Sequence, residues 1–256
     1  MEKSNVTRQI EDFGIKMYIL AILSIISIFI GGVIQLIMFI ILLVSLSDIK
    51  KANLELHNEK LEKFRKYIIY AVIVGIVGAL IITVITVFVL FLFISAIPGF
   101  TFNGPITVPQ FLQMTPLIGN LMLVLLGGFP IGAIALGLLI IAWKNLQIFL
   151  ETNSELIPDT VGLKAINGSK KIKKSYLYLL IALILGEVLV LIAIIGFPQI
   201  ETLIIDFIEA TTPSMGLWVG IIITIGILGT VIGILGLVSY ILMIIGYFKL
   251  SKLRRL

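Results

Sequence analysis

Glu187 is the residue of this sequence best placed to do chemistry, because it is the one ionisable residue near the middle of a long apolar run. A carboxylate at the centre of a membrane-spanning helix costs about 3 kcal/mol, so its side chain usually faces the bundle interior. It could bind a proton or a cation on a permeation path. It could instead hydrogen-bond to a neighbouring helix, with Asn120, Thr83, Thr86 or Thr224 as its partner. A proton relay usually has several titratable groups, so we favour the structural role.

The segment Gly127-Gly128-Phe129-Pro130 is the second feature that would serve transport. Proline lacks the amide N–H that a helix needs, and the discontinuous helices of transporters use glycine and proline where the helix is interrupted. We therefore predict a helix break at Gly127, Gly128 and Pro130.

Glycines also recur at the spacing that brings helices together. Small residues four positions apart let two helix backbones approach closely in lipid, where no hydrophobic effect drives helices to associate. The predicted helix-packing glycines are Gly75, Gly78, Gly216, Gly220, Gly229 and Gly233. Packing within the chain is the simpler expectation, and packing against a second copy is the alternative.

Catalysis is not expected. The chain has no cysteine, and its single histidine, His57, lies in a charged segment, so we predict no catalytic residues, no metal site and no cofactor. The phosphate-binding loop and the dinucleotide-binding glycine pattern are both absent. The polar segments, at roughly 30 residues or fewer, are too short for a soluble catalytic domain.

The arrangement of charge indicates the elements that must position these residues. Hydrophobic residues make up 59% of the 256 positions and charged residues 13%, against about 25% charged in ordinary soluble domains. No charged residue occurs between Tyr67 and Trp143, and the stretch from Ser175 to Tyr247 has only acidic ones. Uncharged apolar runs of about 18 residues or more predict membrane-spanning helices, so we expect an all-α transmembrane bundle.

Basic residues predict the orientation of the bundle. The 19 Lys and Arg residues form four clusters, which lie before the first apolar run, in two polar segments and at the C-terminus. The polar stretches Pro98–Pro116 and Pro198–Ser214 have none. Because cytoplasmic loops are enriched in Lys and Arg, we predict a plasma-membrane protein with both termini in the cytoplasm and these two stretches outside. This topology explains the net charge of +5, and we expect no nucleic-acid partner.

An even number of crossings between basic clusters predicts six helices in three hairpins within one transmembrane domain, residues 1–256. We place the helices at 14–31, 33–49, 67–97, 117–148, 175–197 and 215–248. The first hairpin turns at Gly31-Gly32 and leaves only about 25 Å per arm, which is short for a hydrocarbon core of about 30 Å. The alternative is a single helix over 14–49 and five helices in all.

The hairpins resemble one another, which suggests repeats over 14–66, 67–174 and 175–256. Each descending helix ends on three aliphatic residues followed by a small, a bulky, a variable, a polar and an aliphatic residue, as in Leu139–Leu146 and Met243–Leu250. Duplication of a hairpin about an axis along the membrane normal would produce this pattern. Chance similarity between apolar strings is the alternative.

A resemblance to a known family rests on Leu42–Lys51, on Tyr70–Leu80 with its Gly-x-x-Gly, and on the closing Ile244–Leu250. These segments resemble an uncharacterised family of archaeal multi-pass membrane proteins over about a third of the chain. The resemblance implies a hairpin, a polar stem and a glycine-bearing helix. It implies no activity and no site residues, because the function of the family is unknown.

The function expected from the sequence is that of a non-catalytic membrane component. Its surroundings are the lipid bilayer, and its partner is a second copy or another membrane protein, contacted through helix packing. The alternative is a transporter or channel for a small solute or an ion, which uses Glu187 and the break near Pro130.

Overall fold

A computed structural model of the chain describes residues 4–96, 108–208 and 216–256. Within these ranges the fold is all-α, without strands, as predicted. The six helices are α1 Asn5–Ile30, α2 Gly32–Leu56, α3 Glu59–Ala96, α4 Val108–Thr152, α5 Asp159–Ile208 and α6 Gly216–Leu250. Two short 3₁₀ turns, Ser154–Leu156 and Ser251–Arg255, follow α4 and α6.

All six helices are long and apolar enough to cross a membrane. Many of their large apolar side chains are uncovered, such as Phe29, which is 83% exposed, and Val33, which is 70% exposed. A soluble protein rarely exposes contiguous apolar patches of this extent. The chain is a multi-pass membrane protein, and lipid is the medium that suits these surfaces.

The first hairpin forms as predicted, and the single-helix alternative over 14–49 is wrong. Gly31 has φ +65°, a conformation that favours glycine, and α1 ends before it while α2 begins after it. Lys16 pairs with Asp48, and Ser24 contacts Met38, so residues equally far from Gly31 face each other. The two helices are therefore antiparallel.

The later helices are longer than predicted. Helix α5 has 50 residues, or about 75 Å, and it starts well before Ser175, where we predicted it to begin. Its polar first part stays helical because Ala165 and Ile172 on one face are buried. Helix α4 begins and α5 ends inside the predicted loops, whose remaining parts, residues 97–107 and 209–215, lie outside the described residues.

The contacts divide the predicted single domain into two compact units. The basic unit comprises residues 1–73, 134–180 and 235–256, and the apolar unit comprises 74–133 and 181–234. The division cuts across the second and third hairpins and leaves the first, 14–66, wholly within the basic unit. The repeats stay a prediction.

The basic unit has a closely packed aromatic core. Phe64 makes edge contacts with Phe13 at 6.2 Å between ring centroids and with Trp143 at 5.3 Å. Tyr247 meets the other side of Trp143 at 6.4 Å. These four side chains come from α1, α3, α4 and α6, so segments that lie far apart in the sequence share one core.

Helices α5 and α6 of the basic unit touch backbone to backbone. A Cβ atom on Gly168 would lie 2.7 Å from the Gly246 carbonyl oxygen and 2.8 Å from the Leu250 nitrogen. Ser175 and Ser239 form a buried hydrogen bond of 2.9 Å between the same two helices. Only glycine allows this approach. The two serine hydroxyls hydrogen-bond to each other across the contact, so neither is left without a partner.

The contact predicts opposite effects for two alanine substitutions. Gly168→Ala should destabilise the protein by about 1–3 kcal/mol, because its methyl group would overlap backbone atoms. Gly137→Ala is the matched control, since nothing lies within 4 Å of its Cβ position and alanine is the better helix former by about 1 kcal/mol. Thermal unfolding in detergent measures both, and a Gly168→Ala variant as stable as the original protein would contradict the contact.

Candidate functional site

Glu187 lies on α5 in the apolar unit, and its side chain is half-buried. Among the residues that the structure describes, its carboxyl group has no hydrogen-bond or ion-pair partner. Three of the expected partners donate to carbonyls of their own helices instead. Thr83 donates to Ala79 at 2.7 Å, Thr86 to Ile82 at 2.8 Å and Thr224 to Gly220 at 2.8 Å.

Asn120, the fourth expected partner, is exposed and lines an apolar groove of about 410 Å³ in the apolar unit. The groove lies between α3 and α4, and its walls include Phe88, Gly127 and Ile131. Glu187 is not among the lining residues, so this groove does not bring the two predicted polar residues together.

Leu183, one turn before Glu187 on α5, contacts α4. Its side chain approaches within 3.1 Å of the Cβ position of Gly132 on α4. Residues four apart share a helix face, so Glu187 lies one turn further along the face of α5 that meets α4. The two helices are antiparallel, as the bond from Ser169 to the Trp143 carbonyl also shows, so this turn is level with the α4 segment around Gly128.

Helix α4 is continuous through Gly127, Gly128 and Pro130, so the predicted break does not interrupt the helix. Pro130 has no N–H to donate to the Leu126 carbonyl, and proline inside a helix is a point of bending. A neighbouring helix packs against α4 close to Pro130. Ile82 of α3 lies 3.0 Å from the Cβ position of Gly128.

The predicted packing glycines have different surroundings. Gly78 is in close contact with Ile131 of α4, whereas the Cβ positions of Gly75, Gly220, Gly229 and Gly233 have no other atoms within 4 Å. Helix α6 begins at Gly216, whose surroundings lie outside the described residues. The closest backbone contacts instead involve Gly14, Gly168 and Gly246, which sequence spacing did not single out because their partners lie far away in the chain.

Two further polar contacts of the basic unit were not predicted from the sequence. Lys16 of α1 forms an ion pair of 2.5 Å with Asp48 of α2, and the Asp48 side chain is only 8% exposed. The Tyr240 hydroxyl of α6 donates to the Ser24 carbonyl and lies 2.7 Å from the Ser27 hydroxyl of α1. Both contacts join helices and satisfy groups that are costly to bury alone, so we assign them structural roles.

The basic unit also has an open polar groove of about 520 Å³. We call it the lysine groove. Its polar lining residues are Asn167, Lys170, Lys171, Lys173, Lys174 and Tyr178, all on α5, and Leu242 of α6 contributes to its apolar wall. The sequence showed this run of lysines but not the groove, because α6 is needed to form it.

Two of the four lysines are held by α4. Lys170 forms an ion pair of 3.1 Å with Glu151, and Lys173 donates to the Gln147 side chain at 3.0 Å. Gln147 in turn donates to Glu151 at 3.0 Å, so α4 offers one carboxylate and one amide to these two lysines without lining the groove itself. Lys171 and Lys174 have no hydrogen-bond or ion-pair partner within the described part of the chain.

Comparisons with protein-family models, with curated proteins and with solved structures found no match. The resemblance to archaeal membrane proteins stays a prediction.

Proposed function

We propose that the basic unit faces the cytoplasm, with both termini on that side of the plasma membrane. All 19 Lys and Arg residues fall within the basic unit, and none falls within the apolar unit. The charged residues of the apolar unit are all acidic: Glu187, Glu201, Asp206 and Glu209. Segments rich in Lys and Arg resist translocation, which supports this orientation.

The protein acts, in our proposal, as a non-catalytic membrane component that works by packing its helices against a second copy or another membrane protein. The observation that carries the proposal is the uncovered face of α6. Gly226, Gly229, Gly233 and Gly236 share one side of this helix by helical spacing, and among the described residues nothing lies within 4 Å of their Cβ positions.

Exposed aliphatic side chains accompany these glycines. Ile223, Ile227 and Ile234 follow helical spacing and are each more than half exposed. Thr224 and Thr230 donate to carbonyls of α6 itself, so neither hydroxyl is left without a partner in lipid. Gly229 and Gly233 are four residues apart, the spacing that lets two membrane helices pack closely. A second helix would make more van der Waals contact with this face than disordered lipid tails make.

The orientation can be tested with single cysteines, because the chain has none of its own. An Asn103→Cys variant in intact cells should react with a membrane-impermeant maleimide. A His57→Cys variant should react only after the inner face is opened, since His57 is an exposed residue of the basic unit. The reverse labelling pattern would overturn the orientation.

Association can be tested at Gly229 and Gly233 together. The double variant Gly229→Ile and Gly233→Ile should shift the purified protein toward the monomer, because the new side chains hold a partner helix away. Oligomeric mass in detergent or nanodiscs, from light scattering or native mass spectrometry, provides the measurement.

The control is Gly137→Ile, which also adds a branched side chain in open space but lies in the basic unit. It should leave the mass unchanged. An original protein that is monomeric and copurifies with no other membrane protein would contradict the packing role.

The alternative function is transport of a small solute or an ion. Glu187 favours it, as a half-buried carboxyl group without a described partner, one turn from the contact with α4 and level with the glycine-proline segment. If Glu187 carries coupled transport, Glu187→Gln should abolish flux into proteoliposomes while expression and unfolding temperature stay the same. Unchanged flux in that variant would remove the idea.

A further inference from the structure

We propose that the lysine groove binds the phosphate-bearing headgroup of an anionic membrane lipid. The groove is within the size range of small-molecule sites, at about 520 Å³, and it carries four ammonium groups. The counter-charge that the structure places against them is the Glu151 carboxylate, which pairs with Lys170. The groove is therefore strongly cationic, and an anion with more than one negative charge suits it.

The two unpaired lysines are the main ligands in this proposal. Lys171 and Lys174 lie on one face of α5, three residues apart, and both line the groove. Each ammonium group has three N–H donors, and none of them donates to an acceptor in the described part of the structure. Lys174 is exposed and Lys171 is half-buried, so water solvates both ammonium groups. Their like charges repel each other at this spacing, and a multivalent anion bound between them would offset that repulsion.

Lys170 and Lys173 already have partners on α4, so they shape the site and are not its main ligands. Glu151 and Gln147 of α4 contact Lys170 and Lys173, which favours one orientation of each lysine side chain. A side chain that is already ordered loses less conformational entropy when it contacts a ligand. The Asn167 amide can add a neutral donor at the end of the groove furthest from the apolar run.

The location favours a lipid over a free phosphate ion. Lys174 is the last charged residue before the apolar run that begins at Ser175, so the lysines lie where the headgroup layer meets the start of that run. Tyr178 and Leu242 extend the groove into the apolar segment. Tyrosine is enriched at this depth in membrane proteins, and an apolar wall beside a cationic one matches a molecule with a charged head and a hydrocarbon body.

Native mass spectrometry of the full-length protein in detergent tests the proposal. Phosphatidic acid is the probe, and phosphatidylcholine with the same acyl chains is the neutral comparison. One phosphatidic acid should bind more tightly than phosphatidylcholine. The double variant Lys171→Gln and Lys174→Gln should weaken that binding by about 25-fold, or about five-fold per lysine. Higher salt should weaken it further.

The matched control is the double variant Lys51→Gln and Lys144→Gln. It removes the same charge from two exposed lysines of the basic unit that do not line the groove. Its affinity for phosphatidic acid should stay within about two-fold of the original value. Equal losses in both double variants would overturn the proposal, because binding would then reflect surface charge in general.

Two further measurements distinguish the remaining explanations of binding. Inorganic phosphate at millimolar concentration should not displace phosphatidic acid, and displacement would show that the groove takes a soluble phosphate instead of a lipid. The variant Lys171→Arg and Lys174→Arg keeps both charges and should keep binding. If it too fails to bind while its unfolding temperature is unchanged, charge is not what the site recognises and the proposal is wrong.

Discussion

The contacts around Trp143 are the interaction on which the basic unit depends. Trp143 is fully buried, and its edge contacts with Phe64 and Tyr247 join α4 to α3 and α6. Each such aromatic pair contributes about 0.5–1.5 kcal/mol beyond the burial of its area. This attraction matters because the same unit gathers every Lys and Arg of the chain, whose charges repel one another. Apolar burial holds the backbone in place, and salt and water screen the charges at the surface.

The two units illustrate two ways of packing helices. The basic unit encloses aromatic and aliphatic side chains in a shared core. In the apolar unit the helices meet through small residues, as where Gly78 meets Ile131 and Gly132 meets Leu183. Lipid tails are as apolar as the side chains they touch, so close van der Waals contact replaces the hydrophobic effect there. In the proposed association, the side of α6 that carries Gly229 and Gly233 would make the same kind of contact with a second helix.

The lysine groove combines charged side chains with the close packing of two helices. Helix α5 continues without interruption from its polar first part into its apolar part, so lysines and aliphatic residues follow one another on the same helix. Helix α6 approaches α5 closely because both have glycine at Gly168 and Gly246. The approach leaves an apolar wall at Leu242 beside the cationic one. The same glycine contact that stabilises the helix pair therefore also shapes the proposed headgroup site.

The sequence by itself determined the all-α class, the six helices and the turn at Gly31. These features depend on local properties: uninterrupted apolar runs, and a glycine that permits positive φ. It also located the basic clusters and Glu187, since charge is visible at each position. It did not determine the lengths of the helices, because a polar segment such as 159–174 is helical only when one of its faces is covered.

Only the tertiary structure decided which distant residues meet. The pairing of Lys16 with Asp48, the bonds from Tyr240 to α1 and the approach of Gly168 to Gly246 each join separate helices. Spacing along one helix predicts a shared face but not the partner of that face, so the packing glycines expected at Gly229 and Gly233 are uncovered while Gly168 is enclosed. The physical reason is that contact depends on the positions of two helices, and a periodic pattern describes only one.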